Sequence, residues 1–181
     1  MIRQILLKQR KQMSQEDVRK KSMIIQKKLQ HDNWFQNANN ILFYVSYGNE
    51  VSTHDLIKAK LKNHDQVIVP RSEIKTCSID LKIITCWDEL INGAYGILEP
   101  SIDASLFTGQ LDLLIIPSVG FDHHGNRLGH GKGYYDRLIQ DHPHAKLIGL
   151  AYDFQIINAI AIVTHDKKVH KIITEKRCIQ I

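Results

Sequence analysis

Asp112-Leu-Leu-Ile-Ile-Pro117 decides how this chain folds. A strand wetted on one face alternates polar and apolar residues, whereas an unbroken apolar run of strand length belongs between two covering layers. Working outward, the same pattern recurs in Ile41-Leu-Phe-Tyr-Val-Ser46, Val67-Ile-Val-Pro70 and Lys146-Leu-Ile-Gly-Leu-Ala-Tyr152, with shorter candidates at 79–84 and 169–174. Helical stretches separate these runs. Residues 2–12 read as a helix, and Ser14 followed by Asp17 forms a capping arrangement for a second, in which Val18, Ile25 and Leu29 share a face. Thr53 stands where a cap would open a further helix, with Ile57 and Leu61 four residues apart. Residues 88–109, with Gly93, Gly96, Pro100 and Gly109, read as irregular. Apolar strands separated by helices predict an α/β fold: a single three-layer, Rossmann-like domain over residues 1–181 with a mainly parallel sheet.

Composition narrows the function classes. A hydrophobic content of 43% and a charged content of 24% are those of an ordinary globular chain, and no apolar run is long enough to span a membrane. Residues 1–15 lack the continuous apolar core of a signal peptide. Cys77, Cys86 and Cys178 are odd in number and form no CxxC pair, so a reducing cytoplasm is expected rather than a disulfide framework. The net charge of +5 is an electrostatic footprint shared by nucleic-acid binders and proteins that take small anions. Without aromatic residues interleaved among the basic ones, an anionic substrate accounts for it and no nucleic-acid partner is expected.

In open α/β sheets, ligands gather beyond the carboxyl ends of the strands. The richest such segment here is Gly125-Asn-Arg-Leu-Gly-His-Gly-Lys-Gly-Tyr-Tyr-Asp-Arg137. Its glycines let backbone amides approach an anion and permit positive φ, and the helix that follows adds a favourable dipole. Arg127 can grip phosphate oxygens in a fork and Lys132 supplies a point charge, while Asp136 is placed to hold Mg²⁺ together with substrate phosphates. The segment is not a Walker loop, because Lys132 is followed by Gly133 and Asn126 replaces the first glycine. It is not a dinucleotide fingerprint either, since Gly129, Gly131 and Gly133 read GxGxG.

Pro117 to Leu138, PSVGFDHHGNRLGHGKGYYDRL, resembles the signature of the 5-formyltetrahydrofolate cyclo-ligase family, also called 5,10-methenyltetrahydrofolate synthetases. YVSYGNEVST, VIVPR, YGILEP, AYDFQ and THDKKVHKIIT extend the resemblance in order along nearly the whole chain. The resemblance implies ATP- and Mg²⁺-dependent closure of 5-formyltetrahydrofolate to 5,10-methenyltetrahydrofolate, through a phosphorylated formyl intermediate, by a cytoplasmic monomer. It implies ATP contacts at Arg3 and at Arg127, Leu128, Gly129, His130, Gly131, Lys132, Gly133, Tyr134 and Tyr135, with Lys132, Arg127 and Tyr134 catalytic. Reduced folate would meet Val45, Glu50, Tyr95 and residues 130–134, and Asp136 and Asp166 would bind the metal. The chain departs from the family pattern in three places. The lysine usual four residues before Arg3 would precede Met1, His130 replaces arginine or tyrosine, and Ala161 replaces a proline.

Taken alone, several of these residues have plainer readings. Glu50 and Asp166 could be solvated loop acids, Arg3 part of a polar helix face, and His123, His124 and His130 surface histidines. Trp34 and Trp87 read as core or interface aromatics. Two rival functions stand beside the ligase: another anion-loop enzyme, such as a phosphosugar isomerase or ATP hydrolase, and a ligand- or RNA-binding module that makes no use of Asp136.

Overall fold

The computed structural model describes residues 2–63, 66–73, 76–93, 96–161 and 167–181. The chain opens with helices α1 (Ile2–Lys11), α2 (Gln15–Gln30) and α3 (Asn33–Asn37), then strand β1 (Ile41–Leu42) and helix α4 (His54–Lys62). Strands β2 (Val67–Glu73), β3 (Ser78–Ile84), β4 (Leu90–Asn92), β5 (Leu98–Pro100), β6 (Leu113–Pro117), β7 (Gly120–Asp122) and β8 (Arg127–Leu128) follow. Helix α5 (Tyr134–Asp141) and strands β9 (Lys146–Leu150), β10 (Ile156–Ile157), β11 (Lys171–Ile173) and β12 (Cys178–Gln180) complete it.

The main sheet has seven strands in the order β12-β11-β9-β6-β1-β2-β3. Its inner pairings are parallel, and each edge is closed by an antiparallel strand, β3 on β2 and β12 on β11. The sheet is therefore mixed, its parallel centre carrying the strands read from apolar runs. β6 shows why those runs are unbroken. Leu113 and Ile115 join one buried cluster with Ile25 and Leu29 of α2 and Leu56 and Ile57 of α4. Leu114 and Ile116 join another with Leu138 and Ile139 of α5. All four β6 residues are fully buried, each worth about 1.5–3 kcal/mol by transfer from water.

Four local expectations are corrected. The strand expected at 41–46 is laddered only at Ile41–Leu42, although Phe43 N–H still donates to Ile68 O at 3.0 Å. Thr53 precedes α4, but its hydroxyl does not cap that helix; it donates to Tyr44 O at 2.6 Å and accepts from Ser46 N–H. The stretch 88–109 is not wholly irregular, because β4 and β5 form a hairpin. The strand expected at 169–174 is shorter, Lys171–Ile173, and β12 pairs beyond it. Ser14 behaves as read: its Oγ accepts from Asp17 N–H at 3.0 Å and caps α2.

Candidate functional site

Parallel strands β1, β6 and β9 deliver their carboxyl ends to one edge of the sheet, and three loops leave from there. The loop after β1 is stapled shut. Ser46 and Thr53 exchange backbone-to-hydroxyl bonds at 3.2 Å, and Tyr44 Oη donates to Val51 O at 2.6 Å. Within this rigid loop, Glu50 accepts from Tyr47 N–H at 3.1 Å and stands 3.5 Å from Arg10 of α1. Burial raises the Glu50 carboxyl above the usual range, and Arg10 and the Tyr47 amide pull against it. Asn49 binds the same loop to α1: its Nδ2 donates to the carbonyls of Arg10 and Met13 at 3.0 Å, satisfying acceptors at the helix end.

The loop after β6 runs into the β7–β8 hairpin. Asp122 organises its turn, accepting from the amides of His124 and Asn126 and from Asn126 Nδ2 at 2.8–3.0 Å. Burial would raise this carboxyl, but the hydrogen bonds outweigh it and hold the group below its ordinary range. Gly125 turns at φ +80°, and a Cβ there would lie 2.5 Å from Val169 O, so no side chain fits. The hairpin delivers Arg127, whose side chain is 7% exposed. Its Nη2 meets Asp136 Oδ1 at 2.8 Å and its guanidinium lies 5.7 Å from the Tyr135 ring. Its buried Nε has no hydrogen-bond partner, a donor in place for an incoming acceptor.

The glycine segment then bends through Gly131 at φ +94° and Gly133 at φ +69° into the first turn of α5, which holds Tyr134, Tyr135 and Asp136. Arg3 comes across from α1, its Nη1 3.8 Å from where a Cβ on Gly131 would sit. His130 therefore lies in a basic surround. Desolvation first, then the charges of Arg10, Arg3 and Arg127, hold its imidazole below the ordinary range, which leaves it neutral at pH 7. Tyr135 is shifted the other way, by burial first and then by Glu50, and stays protonated.

Arg3, Glu50, Arg127 and the segment from Leu128 to Asp136 thus share one end of the sheet. Val45 lies beneath them in the core at 5% exposure. Tyr95 and Asp166 lie outside the described residues; of the central loop, Gly96 turns at φ +73°, and a Cβ there would lie 3.7 Å from the Tyr47 ring. His123 and His124 are exposed in the β7–β8 turn. No group of three His, Cys, Asp or Glu among the described residues is arranged to hold a metal. Asp136 still fits Mg²⁺, which needs only one or two carboxylates beside substrate phosphates, but a metal there would compete with Arg127 for Oδ1. No described helix is long and apolar enough to cross a membrane.

Sequence reasoning missed Arg10, Ser118, Tyr152 and Gln155. Arg10 reaches Ser118 O at 3.4 Å, Gln155 Nε2 holds the carbonyls of Ser118 and Val119, and Tyr152 Oη donates to Glu50 O at 3.1 Å. The signal for Arg10 was present. Arg3, Leu6 and Arg10 recur at spacings of three and four, which puts a cation on the helix face that Leu6 buries.

Fold and site define a class: an α/β protein that gathers a basic glycine loop, a helix N-terminus and a half-buried carboxylate at the carboxyl ends of its parallel strands. Within that class, the chain belongs to the 5-formyltetrahydrofolate cyclo-ligase family, whose model matches residues 1–175. It is 32% identical over 182 residues to the 5-formyltetrahydrofolate cyclo-ligase of Mus musculus, spanning 93% of this chain and 90% of the mouse protein. The NMR structure of Aquifex aeolicus 5,10-methenyltetrahydrofolate synthetase superposes with a TM-score of 0.86 at 30% identity, covering 98% of this chain and 90% of that one. A 5,10-methenyltetrahydrofolate synthetase from Mycoplasma pneumoniae superposes with a TM-score of 0.73 at 25% identity, covering 96% of both.

Proposed function

We propose that this chain closes 5-formyltetrahydrofolate to 5,10-methenyltetrahydrofolate at the expense of ATP, working over residues 1–181 as one Rossmann-like domain and as a cytoplasmic monomer. The formyl oxygen attacks the γ-phosphorus and ADP leaves, so an amide oxygen that is a poor leaving group becomes a phosphate ester. N10 then attacks the activated formyl carbon, loses its proton, and expels inorganic phosphate. Such phosphoryl transfer asks the protein for positioning and charge neutralisation rather than for a nucleophile of its own.

The residues suit these demands. Arg127 and Lys132 neutralise charge on the transferring group, while the Gly129–Gly133 amides and the α5 N-terminus cradle the phosphates. Arg3 lies over Gly131 on the other side. Tyr134 and Tyr135 open the helix beneath, and Glu50 faces the pterin, whose ring N–H groups a carboxylate can accept. Tyr95 and Val45 are proposed as further folate contacts. Mg²⁺, held by Asp136 with Asp166, would supply further charge neutralisation at the phosphates. His130, neutral at pH 7, adds no fixed charge at the loop.

The observation that carries this reading is the convergence of Arg3 and Arg127 on a turn with two left-handed glycines, beside a half-buried Glu50. Replacing Lys132 or Asp136 with alanine should lower turnover at least about a hundred-fold, the scale of losing one transition-state charge contact. Wild-type rates in both variants, followed by the absorbance of the methenyl product, would refute the assigned roles.

A further inference from the structure

Arg137 closes the glycine segment, at the fourth position of α5. Its exposed guanidinium does not point to solvent alone. Nε and Nη2 donate to Cys77 O at 3.0 and 2.7 Å, and Nη2 donates to Lys132 O at 2.7 Å. Cys77 stands in the turn between β2 and β3 and is the non-glycine residue with positive φ, at +52°, among the described residues. On the opposite side, a Cβ on Gly133 would lie 3.3 Å from Arg137 Nη1. One planar group is thus wedged between the tip of the β2–β3 hairpin and the backbone of the residue that carries the loop lysine. A lysine ammonium can bridge two carbonyls, but it cannot bring two separate nitrogens to Cys77 O while a third packs against Gly133, as the planar fork does.

We propose that Arg137 is a positioning residue which docks the β2–β3 hairpin on the glycine loop and fixes the Lys132 backbone for ATP; this rests on the ATP reading of that loop. Gly133 serves the same arrangement, since it supplies the left-handed turn and leaves the guanidinium room. Without the clamp, the loop must order itself when the nucleotide binds. That cost falls chiefly on ATP, because folate, although it would also meet residues 130–134, is held as well by the stapled loop around Glu50.

The test compares Arg137→Ala and Arg137→Lys with wild type in steady-state kinetics for each substrate, with thermal unfolding alongside. Both variants should raise KM for Mg-ATP about ten-fold, the loss of roughly 1.4 kcal/mol from charge-assisted bonds. KM for 5-formyltetrahydrofolate should stay within a factor of two, and sub-denaturing guanidinium chloride should restore ATP affinity to the alanine variant but not to the lysine one. An unchanged KM for ATP would overturn the inference, as would equal losses for both substrates accompanied by a fall in melting temperature. If Lys132→Ala is also without effect on ATP, the failure lies with the reading of the loop. An effect at Lys132 with none at Arg137 refutes the clamp alone.

Discussion

Arg10→Met keeps most of the side-chain volume of a residue that is 11% exposed and removes the cation 3.5 Å from Glu50, itself 14% exposed. At an effective dielectric of about 20, that pair attracts by roughly 5 kcal/mol. Part of this is recoverable, because Glu50 keeps the Tyr47 amide and can take up a proton. Breaking one side of a buried pair costs about 3–5 kcal/mol, so a loss of roughly 2–4 kcal/mol is expected at neutral pH. The sign of its pH dependence follows from the carboxyl. Glu50's folded pKa is raised, so its contribution to stability is fully present below the unfolded pKa, about 4.3, and is lost as pH rises through the folded one. Removing Arg10 takes away the largest interaction lowering that pKa, so the loss above it deepens. Urea denaturation at about pH 4 should then separate variant from wild type by only about 1 kcal/mol, the scale of the lost bond to Ser118 O, with the gap widening toward neutrality. Adding Glu50→Gln to the variant should recover most of the difference. A gap independent of pH, or a double variant no more stable than Arg10→Met, would refute a buried pair as the link between α1 and the Glu50 loop.

Two other substitutions test neighbouring parts of the site. Gly131→Ala places a side chain at φ +94° and should cost about 1–2 kcal/mol in urea denaturation, with a rise in KM for ATP. Asn49→Ala frees the Arg10 and Met13 carbonyls it holds and should lower stability by about 1 kcal/mol in the same assay, with the larger kinetic change on the folate side.

The apolar runs located the parallel centre because burial on both faces removes polar alternation, as β6 shows residue by residue. The edges were harder to read. β12 carries Cys178 and Gln180, both exposed, and only Ile179 between them packs against the core, too short a signal to mark a strand. β7 and β8 together hold few residues, and their pairing rests on the Asp122 turn rather than on periodicity. Thr53 misled because a hydroxyl before a helix can serve either the helix or a neighbouring strand, and here Tyr44 O takes it. The glycine loop was legible from its own residues. The burial of Arg10 was marked by its spacing from Leu6, but its pairing with Glu50 was not, because the carboxylate comes from a distant loop.

The central claim is that one loop brings ATP to a folate held beside Glu50. The most direct measurement incubates the purified protein with 5-formyltetrahydrofolate, Mg²⁺ and ATP, and follows methenyl absorbance and ADP together. Formation of the methenyl product with one ADP for each turnover, and none when ATP is withheld, is the predicted result. Product formed equally well without ATP, or ATP consumed without ring closure, would contradict the account.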